Sequence, residues 1–236
     1  MLELKAVSKT YKKSKAKAID SINLKIEDGD IYGFIGPNGA GKSTTIKCIT
    51  GIHTFEEGEI LLDGVSIKEN PIQCKQKMAY VPDNPDVYEN LSGISYINFI
   101  CDFYGVGEER NSLIHQYADL FGIKDRLSDH IKNYSHGMKQ KIVLIAALVH
   151  KPKLLVLDEP FVGLDPKASF DLKEIMKSLC SQGTMIFFSS HVLEVVEKLC
   201  NKIAIIKDGK IIASGDLESV RGDSSLENVF LELFHE

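Results

Sequence analysis

At 236 residues, with 44% hydrophobic and 26% charged, the chain has ordinary globular composition and is long enough for one large buried core, which excludes a disordered or collagen-like polymer. Its formal net charge of -5 gives no general attraction to polyanions, so no nucleic-acid partner is expected. The five cysteines are odd in number and lack C-x-x-C spacing, which excludes a disulfide frame or zinc site and reads as reduced thiols.

The opening MLELKAVSKTY lacks the basic, apolar and small-residue succession of a signal peptide. No later apolar run has the length that crosses a bilayer, so any membrane role is expected through a partner. LELKAVSKTY and AIDSINLKIEDGD alternate apolar and polar residues, which predicts two antiparallel strands with one wet face, joined by a solvated basic turn, YKKSKAKA, and followed by a turn at Gly29.

Next comes the apolar run IYGFI and, at 36–44, GPNGAGKST. The spacing fits G-x-x-x-x-G-K-[ST], with Gly36, Gly41, Lys42 and Ser43 in the fixed places and Pro37, Asn38, Gly39, Ala40 and Thr44 completing the loop. Glycines at 36, 39 and 41 allow positive-φ turns and remove Cβ atoms, so successive N–H groups can point at one anion. The segment after the loop reads as a helix whose positive N-terminal end faces the same anion. Lys42 then reaches the β and γ phosphates and the Ser43 hydroxyl ligates Mg²⁺. An ordinary glycine-rich turn is the plain alternative, and the strand before and helix after argue against it.

MAYVP, KLLVLDE, MIFFSS and KIAIIK are further short apolar runs, expected as strands buried on both faces. Helical patterns lie between them, such as KASFDLKEIMKSLCSQG with Leu172, Ile175, Met176 and Leu179 on one face and Gly183 at its end. Strand alternating with helix predicts a parallel α/β sheet. From about Asn84 to Leu148 that rhythm breaks into three helical patterns, SGISYINFICDFYGV, EERNSLIHQYADLFGI and HGMKQKIVLIAALVH, which predict a helical insertion. LLVLDEP at 154–160 delivers two carboxylates to the carboxyl edge of the sheet, where ligands bind in such folds. Asp158 suits Mg²⁺ through its water shell, and Glu159 suits a general base for water. The remaining histidines His53, His115, His130 and His150 form no metal-ligand spacing. SSLENVFLELFHE reads as a closing amphipathic helix that packs on the domain.

With these elements in order, the chain resembles the ATP-binding cassette ATPases over nearly its whole length. YSHGMKQK at 134–141 stands in the place of that family's signature sequence, GLDP at 163–166 in that of the D-loop, SSH at 189–191 in that of the switch ending in histidine, and AYVPD at 79–83 in that of the Q-loop. The resemblance implies that Tyr11 stacks on adenine, that Ser135 and the N–H at Gly137 meet the γ phosphate held by a second cassette, and that His191 contacts γ phosphate and orients the catalytic water. It also implies that Asp165 lies at the dimer seam and that Asp83 meets Mg²⁺ through water. Two departures stand out: His136 and Met138 replace the glycine and glutamine of the usual LSGGQ, and Asp83 replaces the usual Q-loop glutamine.

The expected fold is that of a P-loop NTPase, with a mixed α/β core, an N-terminal antiparallel β subdomain and an inserted α-helical subdomain. One domain covers residues 1–236, with 1–83 and 149–236 as core and 84–148 as the helical part. The expected function is that of the ATP-binding and ATP-hydrolysing subunit of a transporter, most similar to the branch that exports drugs, antibiotics or peptides. ATP and Mg²⁺ are the implied cofactors. The implied partners are a second cassette, as homodimer or heterodimer, and a separate integral membrane permease that holds the chain at the cytoplasmic face of the membrane. A soluble cassette ATPase acting on ribosome or DNA is the alternative, though the paired cassettes or long coiled-coil insertion of such relatives are not seen in the sequence.

Overall fold

The computed structural model describes residues 1–235 apart from Lys13 and Lys15, with the backbone alone for His235. Two of the four lysines of the basic turn YKKSKAKA thus lie outside the described residues. In chain order the elements are β1 (Leu2–Thr10), β2 (Lys17–Ile26), β3 (Ile31–Ile35), α1 (Lys42–Ile49), β4 (Glu57–Leu62), β5 (Val65–Ser66), α2 (Pro71–Gln76) and β6 (Met78–Val81). There follow α3 (Gly93–Tyr104), α4 (Arg110–Leu120), α5 (His136–Val149), β7 (Leu154–Asp158), α6 (Pro166–Ser181), β8 (Met185–Ser190), α7 (Leu193–Leu199), β9 (Lys202–Lys207), β10 (Lys210–Asp216), α8 (Leu217–Arg221) and α9 (Leu226–His235).

The five apolar runs form the parallel centre of a six-stranded sheet in the order β10-β9-β3-β8-β7-β6, with β10 antiparallel at one edge. Because side chains alternate across a strand, each run feeds two cores at once. Ile35, Val81, Leu157, Phe188 and Ile205 enter the cluster shared with α3 to α7, while Phe34, Val156, Phe187 and Ala204 enter the one shared with α1 and the second sheet. Each large apolar side chain buried this way contributes about 1.5–3 kcal/mol. The second sheet, β2-β1-β4-β5, is antiparallel.

The three expected helices between 84 and 148 are present, and α3 starts at an Ser92 cap that accepts from the Ser95 N–H and stops at Gly105 in the left-handed region. The third differs in placement: residues 142–149 of α5 are buried all round, and the helix packs on β6 as well as on α3 and α4, so it serves as a pillar of the core. Strands β4, β5 and β10 are additional to those expected from the sequence. Asp63-Gly64 and Asp208-Gly209, each with both residues at positive φ, turn β4 into β5 and β9 into β10 as tight hairpins.

In α9, Leu226 is buried and Val229, Phe230 and Leu233 pack on the domain as expected. All five cysteines are free and buried, and burial pushes the Cys48 thiol up to about 11 and the Cys180 thiol up to about 12. Among the described residues no helix is long and apolar enough to cross a membrane.

Candidate nucleotide site

The parallel strands all end at one edge of the large sheet, and that edge collects the predicted residues. From the end of β3 the chain runs through Gly36–Gly41 into α1. Gly39 and Gly41 have positive φ, as expected, whereas Gly36 is required for a different reason: a Cβ there would run into the Ile206 carbonyl. At Gly41, with φ +113°, a Cβ would also sit 2.7 Å from the Ala18 carbonyl. Lys42 folds back across the loop, its Nζ donating to the carbonyls of Gly36 at 2.6 Å and Pro37 at 3.1 Å. Burial pulls its ammonium below the ordinary lysine range, against the opposing pull of the Glu159 and Asp158 carboxylates.

The loop forms one wall of a cleft whose lining includes Asn38, Ser43, Thr44, Asp83, Asp158 and Glu159. Strand register explains why residues so far apart in sequence meet there. Val81 pairs with Leu157 and Asp158 with Ser189, so Asp83, Asp158 and the Ser189–His191 segment leave the sheet side by side. Asp158 is buried, and the Ser189 hydroxyl donates to its Oδ1 at 2.5 Å while accepting from the Glu159 N–H at 3.0 Å. One hydroxyl thereby fixes both acids, a role the sequence reading gave to no residue. Glu159 itself has φ +48°, a left-handed conformation uncommon outside glycine, which turns its side chain out of the strand. Its Oε2 lies 2.8 Å from His191 Nδ1 and accepts from the His191 N–H at 3.3 Å.

Tyr11 stands beside the loop, its hydroxyl 3.2 Å from Thr44 Oγ1 and its ring edge-on to His53 at 5.6 Å. Ala18, also unread in the sequence, completes this wall; its small size is its one sequence-level signal. The donor set fits the implied cofactors: a nest of loop N–H groups and an ammonium for phosphates, and Ser43 hydroxyl and Asp158 carboxylate oxygens for a hard cation. Among the described residues no three His, Cys, Asp or Glu side chains converge as a metal cage.

The YSHGMKQK and GLDP segments lie together but do not line this cleft. Ser135 caps α5, accepting from the Met138 N–H at 3.3 Å. Asp165 caps α6, accepting from the Ala168 N–H at 2.9 Å, and pairs with Lys141 at 2.7 Å. Between them, a Cβ on Gly137 would be 2.5 Å from the Gly163 carbonyl, and a Cβ on Gly163 would be 2.6 Å from the His136 ring. The first turn of α5 and the loop before α6 are thus interlocked at His136, Gly137 and Lys141.

A sequence profile of the ABC transporter family matches residues 19–162, more than half of the chain. The chain belongs to that family. This cassette is 36% identical to YhcH of Bacillus subtilis, an ABC transporter ATP-binding protein, over 230 residues that cover 97% of this chain and 73% of YhcH. It is 35% identical over 230 residues to SrtF of Streptococcus pyogenes, a lantibiotic transport ATP-binding protein, covering 98% of this chain and 96% of that protein. A solved ATP-binding subunit of an ABC transporter superposes with a TM-score of 0.95 at 32% identity, covering 99% of both chains. The cassette therefore has the P-loop NTPase fold expected of it and is an ATP-binding subunit of a transporter.

Proposed function

We propose that the cassette binds MgATP at Gly36–Thr44 and hydrolyses it at the face of a second cassette, driving export by a separate membrane subunit. The observation that carries the reading is the Glu159–His191 pair, set 2.8 Å apart beside the Lys42 and Ser43 loop. In this reading Lys42 swings from the Gly36 and Pro37 carbonyls to the β and γ phosphates, and Tyr11 stacks on the base. Ser43 and Asp158 hold Mg²⁺, with Asp83 meeting it through water; bound there, the cation offsets charge on the phosphates. Glu159 takes the proton of the attacking water, and His191 aims the carboxylate and meets the γ phosphate. Ser189 keeps Asp158 and the Glu159 backbone in register.

Completion across a dimer is supported by the relatives' family and by the exposure of Ser135, Asp165 and His136 at one surface. Ser135 and the Gly137 N–H would meet the partner cassette's γ phosphate, and Asp165 the seam. ATP shifts the pair toward closure only to the extent that it binds the closed form more tightly. The helical part, 84–148, would carry that motion to the permease. An apolar groove lined by Val87, Tyr88, Leu91 and Phe99 supports this, with Tyr88 and Phe99 62% and 48% exposed. Among the described residues no helix is long and apolar enough to cross a membrane, and in this reading the membrane subunit holds the cassette at the cytoplasmic face.

The test is a mild-detergent pull-down of tagged Glu159→Gln cassette with MgATP from its own cells, with parallel sizing of the purified protein. A shift to dimer and near-stoichiometric recovery of a polytopic membrane protein are expected. Recovery of ribosomes or DNA-processing proteins without a membrane subunit would overturn the transport assignment and leave the ATPase.

A further inference from the structure

Asp83 leaves the end of β6 and lines the phosphate-loop cleft with Asp158 and Glu159. Among the described residues lining that cleft, Lys42 is the one cationic side chain, set against three carboxylates. Asp158 is buried and bonded to Ser189, and Glu159 is bonded to His191, so both are fixed in place. Asp83 is exposed, with Oδ1 accepting from the neighbouring Asn84 N–H, and no cation pairs with it among the described residues. Its charge therefore reaches the cleft uncompensated.

We infer that Asp83 is a specificity-determining residue that makes nucleotide loading depend on a divalent cation. A nucleoside triphosphate is strongly anionic, and an excess of carboxylates at the cleft repels it unless a cation arrives with it. Once the cation is present, the same charge attracts it, so Asp83 weakens metal-free ATP and leaves or strengthens MgATP. The effect acts through space and needs no direct coordination by Asp83. This inference deepens the nucleotide-binding reading and rests on it.

The experiment is calorimetric titration of ATP into the intact cassette, in EDTA and in saturating Mg²⁺, for wild type, Asp83→Gln and Asp83→Asn. Asp83 is exposed, so both variants are expected to melt with the wild type. Removing one charge at the cleft mouth is expected to raise metal-free affinity about tenfold and so to lower the ratio of MgATP to metal-free affinity by about tenfold or more. The ratio of the two affinities should also fall with added KCl more steeply in wild type than in either variant. A ratio that is unchanged within about twofold by both substitutions would overturn the role of Asp83. Absence of MgATP binding to all three proteins would instead overturn the nucleotide reading, and this inference with it.

Discussion

The two ends of the six-stranded sheet are both polar, and they are built to opposite rules. At the amino end Asp30 is 6% exposed and accepts from the Glu27 N–H, the Asn201 side-chain amide and the Lys202 ammonium, while Asn201 Oδ1 accepts from the Ile31 N–H. His150 belongs to that end too, stacked flat on Tyr104 at 3.8 Å, with the Tyr104 hydroxyl donating to the Met78 carbonyl at the start of β6. Asp30 and Asn201 there find their partners within the protein. At the carboxyl end Asp158 and Glu159 keep only part of their hydrogen-bonding capacity occupied, and Lys42 donates to two carbonyls of the neighbouring loop. Closed networks hold a fold together; an unfinished one marks where a ligand completes it.

Substitutions at the two ends should therefore separate function from stability. Glu159→Gln is expected to cut ATP turnover by about 10²–10⁴-fold with affinity and melting temperature retained, read by phosphate release and calorimetry. Lys42→Ala should weaken ATP about 100-fold or more in equilibrium titration, again without loss of stability, because the side chain it removes is a buried charge. Asp30→Ala should do the reverse, costing about 3 kcal/mol in denaturant unfolding while the ATP affinity of the folded fraction stays put.

Acid offers a finer probe of the closed end. Burial lowers the His150 imidazole to about 4, so between its ordinary value and that point the unfolded chain holds the extra proton. Stability is thus full above about pH 6.5 and falls as pH drops toward 4, by up to about 3 kcal/mol. His150→Phe should flatten that part of the stability profile. Ser189→Ala sharpens the comparison from the middle, since this residue is buried yet serves the open end. About 1–2 kcal/mol of stability and about tenfold in turnover should go together, whereas loss of stability alone would make it a mere packing residue.

Sequence alone reached the phosphate loop because nine consecutive residues carry it and each has a local reason to be there. Tyr11, Asp83, Asp158, Glu159 and His191 were nameable from their places in the pattern, and the structure brings them to the same edge. Their mutual contacts were not legible, since the Ser189 bond to Asp158 joins residues 31 apart through strand register. The packing of the α5 run IVLIAALV on β6 is not legible either, because periodicity records which face is apolar and cannot say which neighbour covers it. The two D-G hairpins are legible: EILLDGVS sets Asp-Gly between Leu62 and Val65, and IIKDGKII sets it between two lysines that are themselves flanked by isoleucine pairs.

The interlock of α5 with the loop before α6 has a mechanical consequence. His136 bears on Gly163, Gly137 nests under its carbonyl, and Lys141 grips Asp165 one helical turn farther along. Two bodies pinned at several points have no hinge between them. A tilt of α5 would therefore displace Asp165 with it, since the first turn of the helix and the loop before α6 are packed too closely at Gly137 and Gly163 to slide past one another.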